Sequence, residues 1–220
     1  PTILEYASEN DIDLIVMGTH GRRGLNHLLL GSVAEEVVRM APCPVFTVRE
    51  TKNAGILRDF RSILVPVDFS EHSREALVYA KHIAEQYNAT LRVLHIIEEA
   101  FHPSFYATGQ TALSTWYPEI ESHAFKEMNR MLSEARGPQA SIELHTKEGR
   151  AASDIVTFAK RSGVSLIVMA SHGLTGIEHL LLGSVTEKVV RMAPCPVFTI
   201  KSFGKSLLKE EEQAVLDSAK

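Results

Sequence analysis

Residues 166–200 read LIVMASHGLTGIEHLLLGSVTEKVVRMAPCPVFTI, and residues 14–48 read LIVMGTHGRRGLNHLLLGSVAEEVVRMAPCPVFTV. An offset of 152 positions lays one on the other, and only nine of the 35 pairs differ. Each copy opens on a short apolar run, crosses a glycine-bearing loop, and resumes at helical spacing from Ser32 or Ser184. Each closes on Pro-Val-Phe-Thr. This succession predicts strand, loop, helix, strand, which is half of an α/β unit. The match continues weakly upstream, with residues 3–7 lying on 155–159, and then the first copy stops at Pro1. The second copy is thus expected to be whole and the first to be a C-terminal half lacking its front.

The whole copy extends the same alternation. Residues 63–67 (ILVPV) form a β-branched run that ends at Asp68. From Ser70, the residues Ala76, Leu77, Tyr79, Ala80, Ile83, Ala84 and Tyr87 fall on one helical face. A strand at 91–97, a helix around 119–135, a strand at 141–145, a helix at 151–161 and a strand at 166–169 follow. A helix at 184–192 and a last strand at 196–200 complete the set, with Pro196 suited to an edge or a strand start. Alternating strands and helices imply a parallel, doubly wound sheet. The expected organisation is 1–50 as the half copy, 51–61 as a polar linker, 62–202 as the complete domain and 203–220 as a charged tail. The tail reads either as an amphipathic helix carrying Leu207, Leu208, Val215 and Leu216 or as a loosely attached solvated end.

Composition narrows the classes. The chain has 220 residues, 45% of them hydrophobic and 23% charged, enough apolar matter to bury a core. A net charge of -4 with both signs interspersed argues against a general nucleic-acid binder. No run reaches the length of a membrane span, and residues 1–6 (PTILEY) lack the basic and apolar regions of a signal peptide. A cytoplasmic protein is the expectation. Cys43 and Cys195 occupy identical Ala-Pro-Cys-Pro contexts, so they are expected to be equivalent, reduced and buried rather than a disulfide pair.

The chemistry-bearing segment follows the fourth strand. Gly18, Gly21, Gly31 and Ser32 recur as Ala170, Gly173, Gly183 and Ser184. Glycines allow positive φ and close approach of backbone to a ligand, and successive amides at a helix start form an anion site. Asp68 and the pair Met169 and Ala170 end the first and fourth strands, where an open α/β sheet places its ligand crevice. A structural reading stands beside this one. Residues 32–35 (SVAE) and 184–187 (SVTE) have the form of capping boxes, and the glycines suit ordinary turns. Neither a Walker loop nor a Gly-x-Gly-x-x-Gly occurs, and no metal-site spacing or Gly-x-Ser-x-Gly elbow is present.

These residues resemble the universal stress protein family, as a tandem member. The likeness rests on residues 63–70 (ILVPVDFS), on 94–98 (LHIIE), and on the two loop stretches with their Leu-Leu-Leu-Gly-Ser-Val and Ala-Pro-Cys-Pro-Val endings. The resemblance implies a five-stranded, Rossmann-like, adenine nucleotide-binding sheet, and domains paired through the last strand, as a homo-oligomer or within one chain. In one branch it implies ATP at the loop, with any Mg²⁺ held mainly by the nucleotide. Carried over, Val67 and the Ile96 backbone would border adenine, and Asp68 would sit near ribose and phosphates. Met169 and Ala170 would line the site, and Gly173, Gly183, Ser184 and Val185 would cradle the phosphates. The half copy has the equivalent Gly18, Gly21, Gly31, Ser32 and Val33 but no strand to supply an aspartate. Ala170 departs from the motif glycine: its methyl either narrows the approach to a ligand and weakens binding, or is harmless if its φ is negative.

Other features carry weaker expectations. The loop histidines His20, His27, His172 and His179 are expected to order their loops, and His95 to be a hydrogen-bonded core residue. The aromatic stretch with Phe101, Phe105, Tyr106, Trp116 and Tyr117 reads as a lid or a packed cover. Three functions follow: an ATP-binding regulatory module, a slow ATPase, and a pairing scaffold without nucleotide. The half copy is expected to dock through residues 44–49 beside the last strand of the complete domain, in the same chain or in another.

Overall fold

The strand runs at 63–65 and 166–170 are continuously apolar, so both faces of the sheet must be covered there. The computed structural model describes residues 2–19, 30–49, 59–98, 119–171, 182–201 and 205–208. Its elements are α1 (Ile3–Glu9), β1 (Ile15–Gly18), α2 (Ser32–Met40), β2 (Val45–Val48), β3 (Ser62–Val67), α3 (Glu71–Tyr87) and β4 (Thr90–Glu98). They continue as α4 (Glu119–Glu134), β5 (Ser141–Gly149), α5 (Ala151–Arg161), β6 (Leu166–Ala170), α6 (Ser184–Met192) and β7 (Val197–Ile200). Ile63, Val65, Leu166 and Val168 face one way, into the core that holds α3 and α4 residues Leu77, Ala80, Met128 and Met131. Leu64, Leu94, Ile167 and Met169 face the other, against Ile155, Val189 and Val190 of α5 and α6.

The sheet has seven strands in the order β1-β2-β7-β6-β3-β4-β5. The five of the complete copy, β7-β6-β3-β4-β5, are mutually parallel and doubly wound. β5 runs longer than its apolar core suggests, because its ladder with β4 continues to Glu98 opposite Gly149. Pro66 lies in the central strand β3, where a missing N–H would break a ladder. The β3–β6 register holds at Ile63 with Leu166 and Leu64 with Ile167, and gives no partner for Pro66. β3 and β6 are the strands at which the winding reverses, so the crevice opens where the proline needs no partner.

Two further strands join through β2, which pairs antiparallel with β7 as Val45 with Thr199, Phe46 with Phe198 and Thr47 with Val197. This is the position expected for residues 44–49. Phe46 and Phe198 are equivalent in the repeat, so a local two-fold axis passes between them. Thr47 Oγ1 donates to the Val197 carbonyl and Thr199 Oγ1 to the Val45 carbonyl, both at 3.1 Å. Past the strands, Arg49 reaches the Arg191 carbonyl at 3.4 Å, while the equivalent Lys201 reaches the Val38 and Arg39 carbonyls at the end of α2. Burial lowers the Lys201 pKa to about 8.

After β7, residues 205–208 are tied to the rest of the chain. Lys205 pairs with Asp11 at 2.8 Å and Asp13 at 2.6 Å in the half copy. Two residues on, the Leu207 amide donates to the Tyr79 hydroxyl of α3 at 2.7 Å. Residues 205–208 are not helical; the rest of the expected tail helix, the linker at 51–58, the aromatic stretch, and Gly21, Gly173 and the four loop histidines lie outside the described residues. Both cysteines are free thiols, Cys43 buried and Cys195 partly so, and burial drives the Cys195 pKa up to about 12.

Candidate functional site

A cavity of about 570 Å³ opens at the carboxyl ends of β3, β4 and β6. Val67, Asp68, Ile96, Met169, Ala170, Gly183, Ser184 and Val185 all line it. The walls are mainly apolar: Leu94, Ile97, Ile120, Ala124 and Ile155 complete them. Gly18, Gly31, Ser32 and Val33 of the half copy lie elsewhere, at the end of β1 and the start of α2.

Asp68 is fixed by the turn it begins. Its Oδ1 accepts from the Ser70 amide at 3.1 Å and from the Ser70 hydroxyl at 2.5 Å. Ser70 in turn caps α3, accepting from the Ser73 amide. Between them Phe69 takes a φ of 65°, a conformation that a bulky residue rarely adopts. Its ring stacks on His95 with centroids 4.2 Å apart.

The start of α6 also lines the cavity, and here the capping-box expectation fails. Gly183, not Ser184, is the N-cap, its φ is -57°, and no side chain caps this end; Gly31 stands the same way before α2. The serine sits one position too late to cap, so its glutamate is also displaced from N3. The amides of Ser184, Val185 and Thr186 therefore open the helix without intrahelical acceptors, at the wall of the cavity. The glycines at these caps are not there for positive φ. At Gly31 a Cβ would stand 3.2 Å from the Thr19 carbonyl oxygen, a tight approach that a side chain could make only if that carbonyl shifted by a few tenths of an ångström. Ala170 ends β6 outside the left-handed region, so its departure from glycine brings no backbone strain. The Thr186 hydroxyl donates to the Ala170 carbonyl at 2.9 Å and closes the strand end onto the helix.

His95 does hydrogen-bond, as expected, with Nδ1–H donating to the Val67 carbonyl at 2.8 Å, but it also lines the cavity. Burial lowers its pKa, while the Val67 bond and Asp68 pull the other way. Phe69 and the wall residues of α4 and α5 were missed in the sequence. Their signal is periodic: Ile120, His123 and Ala124 fall at i, i+3 and i+4, and Ala151 and Ile155 at i and i+4. Among the described residues no group of three His, Cys, Asp or Glu is placed to hold a metal, and no helix is long and apolar enough to cross a membrane.

Known proteins resemble this chain in sequence and fold. The chain is 34% identical over 145 residues to universal stress protein MJ0531 of Methanocaldococcus jannaschii, covering 64% of this chain and 82% of the relative. With universal stress protein Rv2005c of Mycobacterium tuberculosis it shares 27% over 203 residues, 91% of this chain and 65% of the relative. The solved structure of MJ0577, also from M. jannaschii, superposes with a TM-score of 0.56 at 28% identity, covering 66% of this chain and 99% of that one. The sequence model of the universal stress protein family matches residues 1–49 and 59–201, both copies of the repeat, and the chain belongs to that family.

Proposed function

We propose that the cavity binds an adenine nucleotide, ATP, and that the protein is a regulatory binding module. One observation carries this reading: Asp68 and the uncapped start of α6 line one mainly apolar cavity at the point where the winding reverses. The apolar walls suit a purine, the carboxylate suits ribose hydroxyls, and the three amides suit phosphates. A volume of about 570 Å³ lies within the range of small-molecule and cofactor sites. No Lys or Arg stands among the described lining residues. The triphosphate charge would therefore be met by amides, the helix end and Mg²⁺ carried in on the nucleotide.

Regulation fits the position of the site. β6 forms its floor at Met169 and Ala170 and pairs there with Thr199 and Ile200 of β7, the strand that receives the half copy. The decisive experiment is to denature the purified protein without added nucleotide and identify what is released by mass and absorbance, alongside Gly183→Val. ATP or ADP near one per chain, lost in the variant, is the expected result. No release, with no thermal shift on adding Mg-ATP, overturns the reading and leaves a nucleotide-free pairing scaffold, which the two-fold seam favours. Single-turnover assays on the loaded protein then test hydrolysis.

A further inference from the structure

The turn that presents Asp68 contains the strained residue of the site. Phe69 at a φ of 65° is the sole aromatic residue in the left-handed region among the described residues. Such a conformation persists only where neighbours enforce it. Ser70 holds the far side of the turn through Asp68 Oδ1. The near side is held from another strand: His95 of β4 grips the Val67 carbonyl at 2.8 Å and lies flat against the Phe69 ring at 4.2 Å, with the planes 29° apart. Val67 and His95 are register partners, so a ladder that would end at this pair is extended by one side-chain bond.

We propose that His95 is a positioning residue of this site: by gripping the Val67 carbonyl and backing the Phe69 ring, it holds the turn at residues 67–70 in the conformation that aims the Asp68 carboxylate into the cavity. The inference rests on the nucleotide reading above for its effect on affinity, but the turn itself can be tested without ligand. His95 has two separable contributions. Asparagine places a donor where Nδ1 stands and lacks the ring, and phenylalanine keeps the ring and lacks the donor.

The first measurement is amide exchange in the ligand-free protein. In His95→Phe the Ser70 amide, bonded to Asp68, is expected to exchange at least about tenfold faster, as loss of a part-buried hydrogen bond implies. In His95→Asn most of that protection is expected to return. The second is titration with a fluorescent ATP analogue, where His95→Phe is expected to bind about tenfold more weakly and His95→Asn to recover most of the loss. Melting temperature is followed in both variants. Unchanged Ser70 exchange in His95→Phe overturns the positioning role whatever the nucleotide result. Equal losses in both variants, tracking melting temperature alone, also overturn it, since a merely structural histidine would behave so. Altered Ser70 exchange in a protein that binds no analogue even unsubstituted upholds the grip on the turn and overturns the nucleotide reading.

Discussion

Val16 and Val168 are the same residue in two copies of one repeat, yet Val16 is 63% exposed and Val168 is fully buried. The strands that carry them are built alike, β1 beside β2 and β6 beside β7. What differs is the other side. β3 pairs with β6, and α3 covers the face on which Val168 lies, whereas no described element does this for β1. The same inequality holds for chemistry. Both copies present an uncapped helix start behind a glycine, but among the described residues α6 shares a cavity with an aspartate, because Asp68 arrives at the end of β3. Identical sequence thus specifies the same local elements in both places, while burial and a two-sided site depend on what packs beside them.

Paired substitutions put that contrast to the test. The largest difference is expected for aspartate at the two valines: Val168→Asp buries a charge and should remove at least about 4 kcal/mol of stability. Val16→Asp should remove less than about 1 kcal/mol. Urea denaturation of the two variants measures both, and comparable losses would mean that β1 is covered after all.

Next comes the cation that follows each last strand. Buried Lys201 has its folded pKa lowered to about 8 from 10.5, so the unfolded chain binds the extra proton between these values. Stability from this group therefore rises with pH across that window, by roughly 3 kcal/mol if the full shift is expressed. Cys195 and Tyr79, whose pKa values burial raises, act oppositely as pH rises. The test is accordingly the difference between the unsubstituted chain and Lys201→Met, in which these common terms cancel. That difference should move toward the unsubstituted chain from pH 7.5 to 10.5, with Arg49→Met, at the equivalent position of the other copy, as the comparison.

A smaller effect separates the two helix starts. Ser184→Glu places an acid in the first turn of α6, which favours the helix but repels a phosphate. Affinity for the ATP analogue should fall about tenfold with melting temperature unchanged or slightly raised. Ser32→Glu should leave affinity as it was. Smallest of all, Thr47→Val and Thr199→Val each remove one seam hydrogen bond and should cost about 1 kcal/mol apiece. Clearly unequal losses on calorimetry would break the two-fold equivalence of the seam.

Much of this was legible in the sequence because periodicity and duplication are local signals. Strands at 63–67 and 166–169 announce themselves by apolar runs, and the seam follows from the repeat once residues 44–49 need a partner. The site was legible as far as strand ends and glycines reach. What escaped depends on three-dimensional neighbours. The form of a capping box does not reveal that Gly183 takes the N-cap and Ser184 the first turn. Nothing in Asp-Phe-Ser signals that the phenylalanine adopts positive φ, since His95 lies 26 positions away on the next strand. The run at 63–67 includes Pro66 without showing how a central strand tolerates it, and the early end of the β3–β6 register supplies the reason. The strap from Lys205 to Tyr79 joins residues more than a hundred positions apart, and no pattern in the tail points to them.

The seam between Phe46 and Phe198 also bears on how such a chain can change over generations. Were it formed by two identical molecules, every substitution would fall on both sides of the axis at once, and only changes tolerable in duplicate would survive. Covalent fusion lifts that restriction. Arginine at 49 against lysine at 201, and alanine at 34 against threonine at 186, are differences that a symmetric pair of identical chains has no means of encoding. Each side of the seam can thereby change without the other.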